Sequence, residues 1–492
     1  MTSSVVAVPD APRFDPRHPF LLTALLLFAT RLYFFRLLPF ASEDAYITFR
    51  YARNFAAGLG PVYNVGERVF GYTSPLWMAW TTLGIKIGLD PVLWARLTTL
   101  ALELGALFVG VGLIERHAGR LSAWAFALFY AGWVYFAALP SSGLENPALF
   151  ALLVLGAGAL ERGSRWTGPV LAAIALLRPE GVVAAIVLAL FARGRDRFVA
   201  AGLAGAGWLA AGLYYGSPIP QSLLARANTY GTPGPWAGRH WWDWIVPAPL
   251  GRWSPTSEGN QMFPIAVVTA PAVLAGAIAL ARRPWSSLTA LGAAGLSVWL
   301  GYAIVGVAYF PWSFVLPLGT ALVLASVGLP RITRGLWIPA ALGIFVLGCW
   351  SLLPQLQHAR AQAELRAFSG AIDILGPRSS PGQTVFLEPI GMIGWACPLR
   401  IVDEVGLVSP AVARRRREGP GWFTDTVARV NPEWLVVRRG VVRGGEAFAG
   451  VGEPFRSAAE RDSLFARYRL VGVADRRAGE LALEVRQRVG GP

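Results

Sequence analysis

FASEDAYITFRYARNFAAGLGPVYNVGERVFGYTSPLW, residues 40–77, begins where an apolar run over about 20–40 ends. It opens on the acidic pair Glu43–Asp44, and the residues that follow predict an amphipathic helix over 45–57 carrying Tyr46, Phe49, Arg50, Tyr51, Arg53 and Asn54. A Gly-Pro turn, VYNVGERV and GYTSPLW complete the segment. Carboxylates at the mouth of a run long enough to cross about 30 Å of hydrocarbon are costly to desolvate, so they mark a functional site by default. The plain structural alternative is an N-terminal cap, because Ser42, Glu43 and Asp44 precede a helix whose dipole favours acids there. Such an elaborate loop so early in the chain, with hydroxyls, amide, guanidinium groups and aromatic faces able to cover a sugar ring, favours function.

Outward from this loop the chain is oily. Of 492 residues 54% are apolar and only 15% charged, with 20 Trp, and the mean hydropathy is +0.47. A soluble enzyme of this size sits far from those values, so the chain is a polytopic membrane protein. Apolar blocks at about 20–40, 92–113, 121–138, 146–160, 167–177, 181–192, 198–215, 263–281, 286–308, 311–329 and 336–353 give about eleven spans. The loops ERHAGR (115–120), ERGSR (161–165), RGRDR (193–197), RR (282–283) and RITR (331–334) are rich in Arg, whereas SSGLEN (141–146) and RPEG (178–181) alternate with them. The positive-inside rule then places the Arg loops and the amino terminus in the cytoplasm and the carboxyl terminus outside, as expected for a multi-pass protein of the inner (plasma) membrane. This count takes 75–89 as a short helix at the outer leaflet, since a full crossing there would invert every later loop. The pair 167–177 and 181–192 is read as two short crossings, with one helix kinked at Pro179 as the alternative.

The net charge of +15 is nearly all arginine, spread in short runs between apolar blocks, which speaks for membrane orientation and against nucleic-acid binding. Two cysteines, Cys349 and Cys397, and four scattered histidines supply neither a disulfide framework nor a zinc site. The expected organisation is a transmembrane domain over 1–353 with external loops at 41–91 and 216–262, the latter rich in Pro, Gly and Trp. It is followed by an extracytoplasmic α/β domain over 354–492, where strand-like TVFLEP (384–389) and EWLVVR (433–438) alternate with helical runs.

EDAYITFRYARNFAAGLGPVYNVGERVFGYTSPLW resembles the first external loop of bacterial GT-C glycosyltransferases, membrane enzymes that use polyprenyl-phosphate sugars, and among them the terminal β-(1→2)-arabinofuranosyltransferase family. SSGLENPALF (141–150), LLRPEG (176–181), YYGSPIPQSLLARANTY (214–230), YFPWSFVLPLGTALVLA (309–325) and IGMIGWACPLRIVDEVGLVSP (390–410) carry the same resemblance in one order along the chain. It implies a GT-C-like bundle and an inverting transfer to a cell-envelope glycan, glycolipid or protein acceptor, with an acid of the first external loop as general base. By motif position that base is Asp44. Many relatives carry two aspartates there, so Glu43 beside it is a departure that leaves both acids in play.

A leaving phosphate needs positive charge or oriented donors. The expected donors are Arg178, Arg226, and Arg239 with His240, while Glu145, Glu180, Tyr46, Arg50 and Tyr72 are further candidates for contact with substrate. Glu145 has a helix cap as its alternative role, and Arg178 with Glu180 a self-neutralising pair at a helix break. Asp403 and Glu404 read as a domain-internal turn, ARRRREG (413–419) as a solvated face, and Arg31 and Arg36 as snorkelling to the interface. The sequence requires no cofactor. Hard oxygen ligands at Glu43 and Asp44 would suit Mg2+ or Mn2+ if a metal is used. A transporter or flippase for lipid-linked sugars, or a non-catalytic scaffold for envelope assembly, would draw on many of the same features. The first of these would place ionisable groups at mid-membrane depth.

Overall fold

The computed structural model describes residues 17–230, 263–305, 310–333, 336, 354–444, 453–475 and 482–490. The chain is a polytopic helical bundle followed by an α/β domain. The bundle comprises α1 (Arg17–Leu37), α2 (Glu43–Ala56), α3 (Pro75–Lys86), α4 (Pro91–Ala118), α5 (Arg120–Gly132), α6 (Val134–Ala138), α7 (Asn146–Glu161), α8 (Thr167–Leu177), α9 (Pro179–Leu190), α10 (Gly194–Tyr215), α11 (Gln221–Tyr230), α12 (Phe263–Ala281), α13 (Ser287–Val305) and α14 (Val315–Thr333). Among the described residues five helices are long and apolar enough to cross a membrane, and the count is six if α5 and the segment after it, bent by 50°, make one broken span and not a re-entrant loop. Asn146–Glu161, Thr167–Leu177, Pro179–Leu190 and Thr269–Ala281 are shorter apolar helices. The expected block at 336–353 falls almost wholly outside the described residues.

The two ends of the bundle differ in chemistry as the loop charges predict. At one end Arg116 and His117 bond Glu161 at 2.8 and 3.1 Å, Ser287 bonds the same carboxylate, and Arg283 reaches the His117 carbonyl at 3.1 Å. A side chain at Gly163 would collide with the Arg193 guanidinium, so the 161–165 and 193–197 loops are neighbours there too. At the other end Arg96 donates to the carbonyls of Leu38 (2.7 Å) and Ser141 (2.8 Å), joining α4 to the exits of α1 and α6. α3, about 18 Å long, is too short to cross and bonds the Gly143 carbonyl through Trp77 at this same end. α8 and α9 form a hairpin rather than one kinked helix. Arg178 is extended between them, Pro179 starts α9, and Gly181 lies so close to the Ile174 carbonyl that no Cβ fits.

Arg31 corrects one expectation. Its side chain is fully buried and forms a two-pronged pair with Glu103, 3.0 Å on each prong, with further bonds to the carbonyls of Tyr130 and Ala131. Snorkelling fails because α4 presents a carboxylate at the same depth, and pairing inside the bundle satisfies both charges.

The α/β domain has one five-stranded sheet, ordered β2-β1-β3-β5-β4. β1 (Thr384–Leu387) pairs in parallel with β2 (Arg400–Asp403) and β3 (Trp434–Arg438), while β5 (Leu483–Arg488) runs antiparallel to β3 and β4 (Tyr468–Ala474). The two-residue period of a strand divides its apolar residues. Phe386, Leu435 and Val437 pack with Trp422, Phe423 and Val427 on one face. On the other, Val385, Leu387, Trp434 and Val436 share a core with Ile47, Tyr51, Tyr63, Phe70 and Tyr72 of the first long loop. The sheet is therefore the backing plate for the 43–77 segment.

Candidate active site

α2 presents different faces to different neighbours. At about 100° per residue, Glu43 and Arg50 lie two turns apart on one face, whereas Asp44 and Thr48 lie on another. The first face meets the α/β domain. Arg50 is buried and donates to the carbonyls of Tyr63 (2.9 Å), Gly394 (2.6 Å) and Leu399 (2.7 Å), with its guanidinium 4.4 Å from the centre of the Tyr63 ring. The Glu43 carboxyl accepts the amide N–H of Gly391, where any side chain would strike the Glu43 backbone. Enclosure between α2 and the helix Ile390–Ala396, reinforced by the charges of Asp44 and Glu388, holds the Glu43 carboxyl well above the usual carboxylate range. Neither acid is spent as a helix cap: Ser42 occupies that position, without a side-chain bond of its own.

The second face opens into a cleft with about 430 Å³ of free space continuous with solvent, lined by Asp44, Thr48, Tyr72, Glu145, Arg178 and Arg226 among others. Arg226 Nη2 lies 2.6 Å from Asp44 Oδ2, both side chains about a quarter exposed. The Arg226 guanidinium sits 5.5 Å from the centre of the Phe310 ring, which stacks on Trp312 of the cleft wall. Arg178, at the tip of the α8–α9 hairpin, donates to Glu145 at 2.5 Å and also to Glu180. Glu145 thus stands at the N-cap position of α7 without a side-chain cap bond, and its carboxylate serves the ion pair. Tyr72 bonds Tyr215 at 3.1 Å and packs edge-on to Tyr51, and burial pushes its hydroxyl up to about 12.

Of the residues expected from sequence, Asp44, Arg178, Arg226, Glu145 and Tyr72 line this cleft, with Glu180 one bond behind. Arg50 and Glu43 face the α/β domain. Tyr46 packs on Phe49, on a side of α2 that feels Asp90 and Arg96 and not the cleft. Arg239 and His240 lie outside the described residues. The cleft adds Thr48, Thr73, Ser74, Ser222, Trp312 and Leu407, which the sequence reading did not single out. The signal for two of them was helical spacing: Thr48 stands four residues after Asp44, and Ser222 four before Arg226.

Asp403 builds a turn, its carboxylate accepting the amides of Val405, Gly406 and Val408 at 2.7 Å each. Of ARRRREG, only part is a solvated face. Arg415 pairs with Asp425 and Arg416 is buried over Trp422, which leaves Arg414 and Arg417 exposed. Among the described residues no three His, Cys, Asp or Glu side chains converge as metal ligands. Glu43 and Asp44 point to different partners, so as placed here they do not fit a shared metal ion.

The α/β region 355–486 matches a domain of unknown function, DUF8728. The structure superposes on ArnT from Cupriavidus metallidurans bound to undecaprenyl phosphate with a TM-score of 0.60 at 12% identity, covering 96% of this chain and 99% of that one. The fold is the GT-C fold. The Archaeoglobus fulgidus oligosaccharyltransferase shares it, with a TM-score of 0.52 at 12% identity over 88% of this chain and 70% of that one. In sequence, the chain is 31% identical over 221 residues to the terminal β-(1→2)-arabinofuranosyltransferase of Mycobacterium tuberculosis. That match covers 38% of this chain, and the chain spans about a third, 34%, of the relative's length. In this GT-C fold the cleft lies between the bundle end that carries Glu145 and Arg178 and the α/β domain that contributes Leu407.

Proposed function

We propose that the protein is an inverting membrane glycosyltransferase. It moves a sugar, with arabinofuranose the first to test, from a polyprenyl-phosphate donor to a hydroxyl of a bacterial cell-envelope glycan, glycolipid or protein at the outer face of the membrane. The observation that carries this reading is the cleft itself, where a carboxylate, Asp44, stands against Arg226, and a second cation, Arg178, is held by Glu145 in the same wall.

In the proposed step the acceptor oxygen attacks the anomeric carbon from the face opposite the phosphate. The bond from that carbon to the phosphate oxygen breaks, and the electron pair leaves with the polyprenyl phosphate. Asp44 takes the acceptor's proton as charge develops, an effect of about 10²–10⁴ in rate. Arg226 and Arg178 offset the charge on the departing phosphate. Thr48, Thr73, Ser74 and Tyr72 offer hydroxyls to the sugar, and Trp312 an aromatic face. Among the described residues the acids do not converge as a metal-ligand set.

The test is a paired assay in purified membranes. Wild type and Asp44→Asn are incubated with a panel of polyprenyl-phosphate sugars and an envelope glycan extract, following donor loss and glycan mass. Donor consumption with a matching mass gain in the wild type alone supports the reading. Equal transfer by Asp44→Asn removes Asp44 as base, and movement of intact donor across the bilayer without turnover replaces transfer with transport.

A further inference from the structure

α11 faces the cleft with two residues, Ser222 and Arg226, one helical turn apart. Residues at this spacing lie on one side of a helix and about 6 Å apart along its axis. α11 is fixed at its start: the Gln221 amide bonds the Phe70 carbonyl at 2.7 Å, and the Gln221 side chain bonds the Gly406 carbonyl at 3.0 Å. The helix therefore holds both side chains against the first-loop segment and the α/β domain at once.

Ser222 is 4% exposed, and among the described residues its hydroxyl has no hydrogen-bond partner. A buried hydroxyl left without a partner is unfavourable, so a polar atom entering the cleft beside it would be held. Serines within helices often return their hydroxyl to the carbonyl four residues back, as Thr320 and Ser326 do in α14. Ser222 stands in the first turn, where no such carbonyl of its own helix exists, so its hydroxyl is free to serve the cleft.

We propose that Ser222 is a phosphate-positioning residue, its hydroxyl and the Arg226 guanidinium together gripping the phosphate of a polyprenyl-phosphate lipid. This rests on the lipid-phosphate donor proposed above and adds the residue that orients it. One hydroxyl and one guanidinium a turn apart offer donors on two sides of a tetrahedral oxyanion, which a lone arginine does not. The grip also draws Arg226 toward the phosphate and away from Asp44, freeing the carboxylate for the acceptor.

The experiment uses the full chain in nanodiscs of phosphatidylcholine, with undecaprenyl phosphate and undecaprenol as probes and the thermal midpoint as a control for folding. Wild type is expected to bind undecaprenyl phosphate at least tenfold more tightly than undecaprenol. Ser222→Ala is expected to weaken undecaprenyl phosphate about tenfold, the share of one charge-assisted hydrogen bond, with undecaprenol binding and the thermal midpoint unchanged. Ser222→Thr, which keeps the hydroxyl, stays within about twofold of wild type. If wild type separates the two lipids and Ser222→Ala does so equally well, the role of Ser222 is wrong and the donor reading stands. If wild type does not separate them, the donor reading fails and the grip with it. Loss of both lipids together in Ser222→Ala, or displacement of undecaprenyl phosphate by millimolar inorganic phosphate, also overturns the proposal, the first as a packing role and the second as a site for free phosphate.

Discussion

Arg226 Nη2 and Asp44 Oδ2, 182 residues apart in the chain, lie 2.6 Å apart in the cleft. Each is about a quarter exposed, so the pair is open to exchange with a charged ligand and is not a buried structural lock. In the proposed transfer an incoming phosphate would compete for the guanidinium, and an acceptor hydroxyl for the carboxylate.

The two adjacent acids are expected to separate cleanly on substitution. Asp44→Asn should lower transfer about 10²–10⁴-fold by removing the proton acceptor. Glu43→Gln keeps an oxygen for the Gly391 amide and removes only a carboxyl that its enclosure already holds toward the protonated form. It should retain transfer within about threefold, because that hydrogen bond stays in place. Rates measured in membranes containing equal amounts of each variant check this, and equal losses would move Glu43 into the chemistry.

Coupling between Asp44 and Arg226 is measurable by a double-mutant cycle. Arg226→Gln removes the phosphate's partner and should raise the KM for donor more than it lowers kcat. Asp44→Asn should lower kcat. Residues in direct contact depart from additivity by about 0.5–3 kcal/mol, so the double variant should lose less than the product of the two single effects. Strict additivity would place the two residues in independent roles.

The Arg31–Glu103 pair predicts a stability pattern inside the bundle. Glu103→Gln leaves a fully buried guanidinium without its counter-charge and should cost about 3–5 kcal/mol, whereas Arg31→Met with Glu103→Leu should recover most of the loss. Thermal denaturation in detergent reports it. Equal destabilisation by the single and double variants would show that the pair's shape matters more than its charge.

A pH dependence follows from Glu404, whose carboxyl is pushed up to about 8 by burial and the neighbouring Glu388 charge, against Arg416 and Arg438. Its ordinary value is 4.5, so the folded protein keeps a proton that the unfolded chain releases across that window. Its contribution to stability is complete below pH 4.5 and is lost as pH rises through about 8. The thermal midpoint should therefore fall between pH 5 and about 8.5, and Glu404→Gln should flatten the slope. A midpoint that rises across this window in wild type would contradict the assignment.

The grouping of the loops by charge was legible in the sequence because the distribution of Arg acts on each segment locally. That is why the 115–120, 161–165, 193–197 and 282–283 loops meet at one end of the bundle and Glu145 and Arg178 at the other. The Glu43–Asp44 pair stood out as a candidate for a similar reason, since carboxylates beside a long apolar run are costly to place there, yet only Asp44 of the two lines the cleft. What each charged side chain touches was not legible. Arg50 and Arg226 are both arginines on short polar helices, yet one is buried among carbonyls that include Gly394 and Leu399 while the other faces Asp44. Helical period alone puts Arg50 with Glu43 and apart from Asp44. Which of those faces meets protein and which meets the cleft depends on segments more than 180 residues away, and only the packing of the sheet against 43–77 decides it. Arg31 makes the same point, because a cation near the end of a span snorkels or stays inside according to whether a distant helix supplies a carboxylate at its depth.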